Sequence, residues 1–569
     1  MPHSPHGVNF EAHRPAVMGL NGMVCSGHPL ASQAGIATLQ KGGNAVDAAI
    51  ATAASLNVVE PLMSGIGGDG FIMVYWKDRD RVEVCNATGA APYAATLDRF
   101  ARFPEGIPMK GILSVSAPAL LDGWLEVHQR YGSFSLAGLL APAVDLADHG
   151  FPVSRILAQA IASDPLLCRF PTSRAVFTRD GRLLGPGEIL YQKDLARTLL
   201  AVIQGGRDAF YRGPIARAIV KFSEEQGGLL SLKDFAGCRS RWQAPISTTY
   251  RGHTVYEAPP NSSGHVLLQE LNLLEQFDLE SLGCNTSECI HLMVEAKKLA
   301  FADREAYVAD PDFVDVPTDG LVSKEYAKAR AALIDPQRAT ATVLPGDPWP
   351  YQRRRLGAGA PRAGASRGLR EEDTTCFVVV DRWGNAVCQL QSIQSAWGSS
   401  LIAGDTGILL NNRMTYCHWD EGHVDRLEPG KRVRHTMNPV MVFREGGPRS
   451  LVLVCGTPGA DTQMQTNLQV ISHVLDFGMT VAEAVEAPRW RNTQNPTEST
   501  LPHVCDDLLY LEGRFPPEVR SGLERRGHAL SVLGPWEGRG SEMMIQVDPE
   551  SGVLHGAADP RRDGYAIGW

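Results

Sequence analysis

Unbroken apolar runs, rather than alternating ones, mark the strands of this chain. Phe71–Trp76, Cys376–Val380, Ala386–Cys388 with Leu390, Leu451–Cys455 and the stretch 543–548 have this character, which fits strands buried in a sheet. Between them the spacing turns helical. Residues 30–41 predict a helix that stops at Gly42-Gly43, and Asn44 with Asp47 three residues on forms a capping pair for the next helix. That helix, from Ala45 to about Val58, carries Ala48, Ala49, Ala51, Ala53 and Ala54. Side chains so small let it press closely on a neighbour. Further helical patterns cover 120–150, most of 155–240 with turns at Gly205-Gly206 and Gly227-Gly228, then 265–276, 463–477 and 480–487. His291–Asp303 is strongly periodic and predicts an amphipathic helix with one face in the core. Residues 401–412 predict one more short strand. Strands and helices are intermixed along the whole length, an α+β pattern.

Several short motifs invite chemistry. Gly65-Ile66-Gly67-Gly68-Asp69-Gly70 has the form G-x-G-x-x-G, but a helix precedes it and a strand follows. A dinucleotide site needs the opposite order, so this is a tight turn feeding a strand. Pro259–Gly264 is a polar turn before a helix, which either binds an anion or only caps the helix. Cys417, His418 and His423 lack a fourth ligand at zinc spacing, and no metal is assigned. The strand ending at Cys455 runs into Gly456-Thr457-Pro458-Gly459-Ala460. Such a turn either exposes amides as an oxyanion hole or only redirects the chain.

The most informative stretch lies further back. Residues 353–370 are rich in Arg, Gly and Ala and predict no packed element. They end at Asp373, where Thr374 and Thr375 open a hairpin whose strands meet at Gly384-Asn385. Were the chain cut before Thr374, that residue would carry an α-amine of pKa about 8 beside its own hydroxyl, able to serve as its base. Otherwise both threonines are ordinary β-branched strand residues.

Composition narrows the classes. The chain has 569 residues, 44% hydrophobic and 21% charged, so it sustains a large core. A net charge of −9 gives no basic face for nucleic acid. Eleven cysteines without paired spacing, several of them in apolar strands, point to buried thiols in a reducing compartment. The first residues have no apolar core of a signal peptide, and no run has transmembrane length, so a cytoplasmic protein away from membranes is expected.

The order of these parts resembles the γ-glutamyltranspeptidase family of N-terminal-nucleophile hydrolases. The resemblance rests on Gly42–Ala49, Gly65–Phe71, Ala300–Arg304, Asp373-Thr374-Thr375, Asp405–Asn412 and Gly456–Gly459. It implies a four-layer αββα sandwich, one composite domain made of two chains cut autocatalytically between Asp373 and Thr374. The expected division is a flexible N-terminus at 1–20, a large chain over 21–373 with a disordered linker from about 340 to 373, and a small chain over 374–569. The two chains stay associated, with a dimer of such pairs as a further option.

By the same resemblance Thr374 is the nucleophile and Ser392 supports it. Gly459 and Ala460 supply the oxyanion amides, Ala460 standing where a second glycine is usual. Gln394, His435 and Thr436 fall on substrate-side positions. No cofactor is implied. A γ-glutamyl site also needs an arginine for the α-carboxylate and acids for the α-ammonium, but those positions hold Leu97, Arg413 and Tyr416. Arg413 presents a fork suited to a carboxylate. The expected substrate is therefore a small carboxylated amide, as in the oxamate amidohydrolase branch or among glutaryl acylases. Glutathione hydrolysis or γ-glutamyl transfer, and an unprocessed non-catalytic protein, are the alternatives.

Overall fold

The computed structural model describes residues 12–103, 106–352, 374–446, 449–494 and 507–569. Two antiparallel seven-stranded sheets form its centre. In one, the order is Val17–Gly19, Leu554–Ala558, Met543–Val547, Ser450–Gly456, Val440–Arg444, His253–Glu257 and Ile246–Tyr250. In the other it is Tyr565–Gly568, Gly22–Ser26, Thr375–Asp381, Ala386–Ser392, Asp69–Trp76, Arg81–Ala87 and Arg241–Gln243. Met23, Phe71, Val378, Leu390, Met441, Val454 and Ile545 fill the space between the sheets. One helical layer, including Pro29–Gln40, Ala45–Val59 and Leu136–His149, covers the second sheet. The other, including Gly264–Leu274, Ser287–Tyr307 and Thr462–Leu475, covers the first. This is the αββα sandwich. Each sheet combines strands from before and after residue 374, so neither segment could complete a sheet alone.

The apolar runs are continuous because both faces of the inner strands are covered: every residue of Thr375–Asp381 and Ala386–Ser392 is buried. Their hairpin is fixed by Asp381, whose carboxylate accepts from the amides of Trp383 and Asn385 and also from the amide of Ala45. One side chain thus closes the turn and docks it onto the first turn of the Ala45–Val59 helix, where a carboxylate is favoured. That helix begins with the Asn44–Asp47 capping box and is buried along its whole length. Its small residues meet Gly35 of the preceding helix, where an added Cβ would lie 2.2 Å from Thr52 Oγ1.

Four expectations change. Ser287–Tyr307 is buried on all sides rather than along one face, because its charged residues pair with other elements instead of water: Arg304 with Asp461, Glu305 with Arg434, Asp303 with Arg330 and Lys298 with Asp507. Residues 401–412 make only isolated bridges, Ile402 to Leu409 and Leu410 to Gly67. The stretch from 340 belongs to the fold as far as Gln352. Thr340 N donates to Glu295, and Gly346 both donates its amide to Asp303 and accepts from the Tyr307 hydroxyl. Residues 353–373, with Asp373, lie outside the described residues. Likewise the N-terminal segment is already anchored at His13 and Arg14, whose amides donate to Glu486, and Val17–Gly19 joins a sheet.

Candidate active site

Strand register builds the site. Thr375 pairs with Gln391, and Ser392 pairs with Asp69 on the next strand. Side chains alternate across a strand. Thr375, Phe377 and Val379 therefore face the outer helices, whereas Thr374 faces inward with Cys376 and Val378. Thr374, Ser392 and Asp69 form one row across three strands, on the face between the sheets. Thr374 is 3% exposed and donates from Oγ1 to Ser392 Oγ at 3.2 Å. Ser392 Oγ also accepts from the amide of Gln394 at 2.8 Å. On the opposite face Thr375 Oγ1 donates to the buried Glu60 at 2.7 Å, which fixes where the strand begins.

The other sheet contributes the turn after Ser450–Gly456. Gly459 has φ 118° and Ala460 φ 50°, left-handed conformations that turn successive amides outward together. An alanine there costs about 1 kcal/mol, strain of the kind found at functional sites. Among the described residues neither amide is paired with an acceptor. Their carbonyls instead accept from Thr462 and Gln463, which start the next helix. Arg304 holds this turn from below through Asp461, at 2.6 Å.

A third segment, 432–438, closes over the row. The turn Pro259–Gly264 does more than cap a helix here: Ser262 Oγ donates to Met437 O and Ser263 Oγ to His435 O, while Asn261 Nδ2 donates to Val433 O. Arg434 meets Glu305 at 2.9 Å. Thr436 Oγ1 accepts from Gln463 at 3.4 Å.

Arg413 is no surface residue; it is 1% exposed. Its Nε lies 3.2 Å from Asp69 Oδ2, its Nη2 has no partner among the described residues, and its guanidinium stands 5.4 Å from the Tyr416 ring. Tyr416 packs with Met414, Phe100 and the half-buried Leu97, so Leu97 belongs to an apolar wall beside the arginine. His435 Nε2 lies 3.9 Å from Asp69 Oδ2, and neither of its ring nitrogens is hydrogen-bonded among the described residues. Burial, together with the Arg413 charge, holds the imidazole neutral by pushing its pKa well below the usual range. Burial also pushes the Asp69 carboxyl up to about 6, against the pull of Arg413 and of the Gly89 amide at 2.7 Å. The Gln394 side-chain amide is buried without partners among the described residues, on a backbone of φ 86°. Polar groups this buried and unpaired are expensive unless a ligand completes them.

Sequence inspection missed Asp69 as a site residue because it stood in a glycine-rich turn. It also missed Asn411, which accepts from both the Ser116 and the Arg413 amides and so aims Arg413. Cross-strand register, invisible without the fold, was the signal. Gly89 shows how tightly the Asp69 end is built: a Cβ there would lie 1.6 Å from Ala117 O. Gly89→Ala is expected to destabilise the protein by at least ~3 kcal/mol, read as a lower melting temperature or loss of soluble protein. Gly138→Ala, with its nearest neighbour at 3.5 Å, serves as the neutral control.

Two buried groups have metal-ligating residues close together, Glu305 with His418 and His423, and His291 with Glu295 and His528. In the first, Glu305 is occupied by Arg434 and Arg304, and His423 Nδ1 accepts from the Asp425 amide. In the second, His291 bridges His528 and Asp335 O, and Glu295 lies 3.1 Å from Lys298. Both are arranged as ion-pair and hydrogen-bond networks, and neither adjoins the Thr374 row in strand register.

Residues 31–569 match the family model for gamma-glutamyltranspeptidase. The chain is 39% identical to the glutathione hydrolase-like YwrD proenzyme of Bacillus subtilis, over 97% of this chain and 99% of that one. It is 32% identical to the oxamate amidohydrolase proenzyme of Klebsiella pneumoniae, covering 99% and 100%. The crystal structure of a cephalosporin acylase from Bacillus halodurans superposes with a TM-score of 0.86 at 32% identity, covering 99% of each chain.

Proposed function

The chain belongs to the gamma-glutamyltranspeptidase family of N-terminal-nucleophile enzymes, and on that premise we propose that it is an autoprocessing threonine amidohydrolase for monoamides of short dicarboxylic acids. Cleavage before Thr374 frees its amine. Thr374 Oγ then attacks the amide carbonyl while the amine takes its proton. The Gly459 and Ala460 amides receive the developing oxyanion. Collapse breaks the C–N bond, the amine returns the proton to the departing nitrogen, and an ester on Thr374 remains. Water attacks that ester by the same route and releases the acid. Ser392 holds the nucleophile's hydroxyl in line. No step requires a metal or organic cofactor.

The observation that carries the substrate class is Arg413. Its Nη2, without a partner among the described residues, stands beside the nucleophile's row, and Asp69 lies two strand spacings from Thr374, ~10 Å between α-carbons. That spacing keeps a carboxylate held at Arg413 within reach of a short acyl chain on Thr374, and a substrate panel measures which length fits. The test is a panel of oxamate, succinamate and glutaramate beside propionamide. A carboxylated member should exceed the neutral amide by at least ~100-fold in kcat/KM; equal rates would reject the assignment.

One observation favours γ-glutamyl compounds instead. Asp69 is an acid within the site, which the sequence positions had left without one. Glutamate release from a γ-glutamyl anilide faster than ammonia release from glutaramate would establish that substrate. For the hydroxyl pair, Ser392→Ala is expected to lower kcat about 10- to 100-fold with KM little changed, the worth of one charge-assisted bond to the nucleophile, as steady-state kinetics would register.

All ten described cysteines are free thiols, which supports residence in a reducing compartment such as the cytoplasm. Among the described residues no helix is long and apolar enough to cross a membrane. The two segments remain joined through both sheets after cleavage, and a dimer of that pair would show as a doubled mass in light scattering.

A further inference from the structure

Arg413 reaches Asp69 only through Nε, at 3.2 Å, and leaves Nη2 without a partner among the described residues. Both side chains are sealed from water, at 1% and 0% exposure. A ligand carboxylate that takes Nη2 would therefore share one guanidinium with Asp69. Among the described residues, the groups facing Asp69 supply no second positive charge. His435, 3.9 Å away, is held neutral by burial and by Arg413. The nearby Cys238 thiol is pushed far up by burial and stays protonated. The Gly89 amide and the neighbouring Ser392 are neutral. The Thr374 amine, once freed, lies two strands away and is committed to the reaction. One guanidinium, one resident carboxylate and one incoming carboxylate leave an uncompensated negative charge in surroundings sealed from water. Two carboxylates confined together resolve this by holding a proton between them.

We infer that Asp69 is a specificity-determining residue that takes up one proton from solvent when a ligand carboxylate engages Arg413. The inference rests on the carboxylated-amide reading. It extends that reading to the ligand's charge: a carboxylate alone is accepted with a proton, whereas a ligand that also brings an ammonium group meets Asp69 ionised and needs none. Asp69 is already poised for this, since burial keeps its carboxyl near pH 6 even with Arg413 beside it. Affinity for a simple carboxylate should then fall as pH rises above that value, up to the higher value Asp69 takes in the complex.

The test uses the processed wild-type enzyme and three small ligands: pentanoate, pentanamide, and L-norvaline, which is pentanoate with an α-ammonium group. Titration calorimetry in phosphate and in Tris at pH 7.5 counts protons exchanged. Pentanoate should bind with about one proton taken up, and about tenfold more weakly at pH 8 than at pH 7. Pentanamide should bind without uptake. Asp69→Asn should abolish the uptake and flatten the pH dependence; because the wild-type buffer comparison needs no variant, it decides the matter even where that protein does not fold. Pentanoate binding without proton uptake overturns the role of Asp69 and leaves the substrate class standing. L-norvaline binding at least tenfold more tightly than pentanoate overturns the substrate class and leaves the role of Asp69 standing, whereas no binding of pentanoate between pH 5.5 and 8 overturns both.

Discussion

Thr374→Ala is expected to purify as one full-length polypeptide, whereas the wild type separates under denaturing conditions into residues 1–373 and 374–569. Amide hydrolysis should fall by at least ~10⁴-fold, the scale seen when a nucleophile is removed. The variant should still fold. Thr374 sits at the end of a strand fixed by its partners on both sides, by the Thr375–Glu60 bond and by the Asp381 hairpin. Its hydroxyl donates to Ser392, and the loss of that bond costs about 1 kcal/mol. Intact mass and a melting curve on the same sample separate a blocked cut from a broken fold. A folded Thr374→Ala that is still cut, or a wild type never cut, would make the non-catalytic alternative the better account.

Arg413 carries the second large effect. Truncation to Met should reduce kcat/KM for the carboxylated amide by about 10²–10³-fold, roughly 3–4 kcal/mol. The same change strands Asp69 without its cation, and an unpaired buried charge destabilises by about 3–5 kcal/mol. Arg413→Lys separates the two effects. It keeps the charge beside Asp69 but gives up the planar fork, so stability should largely return while activity stays at least ~10-fold down. The decisive comparison is with propionamide. A loss confined to the carboxylated amide assigns Arg413 to recognition; an equal loss on both amides makes it part of the scaffold only.

How much of this was legible beforehand follows from the range of the forces involved. Local rules served well. The Asn44–Asp47 box, the small-residue helix behind it and the buried apolar strands all stand as their residues suggested, because capping and burial act within a few positions. Ser287–Tyr307 defeated the same rules. Its lysines, arginines and acids looked like a solvated face but find partners on segments more than a hundred residues away, such as Asp461 and Arg434. The site divided the same way. The hydroxyl of Thr374 was suggested by the stretch that opens a hairpin, a local object, and Ser392 by the family resemblance; they lie side by side on paired strands. Asp69 could not be found so, since its place beside Ser392 exists only through the register of a third strand. Asp69 stood in a turn whose glycines drew attention to backbone shape.

Arg304 and Glu305 are consecutive residues of one buried helix, yet one clasps the turn bearing Gly459 and Ala460 and the other the segment bearing His435 and Thr436. A single peptide bond therefore yokes the place where transition-state charge would settle to the segment that, on the proposed reading, would border the entrance for the acyl chain. Remodelling the entrance for a bulkier acid would tug on the anion cradle through that yoke. Laboratory evolution toward new acyl groups should accordingly meet its resistance in turnover before affinity, and find its compensating changes along Ser287–Tyr307 rather than at the entrance itself.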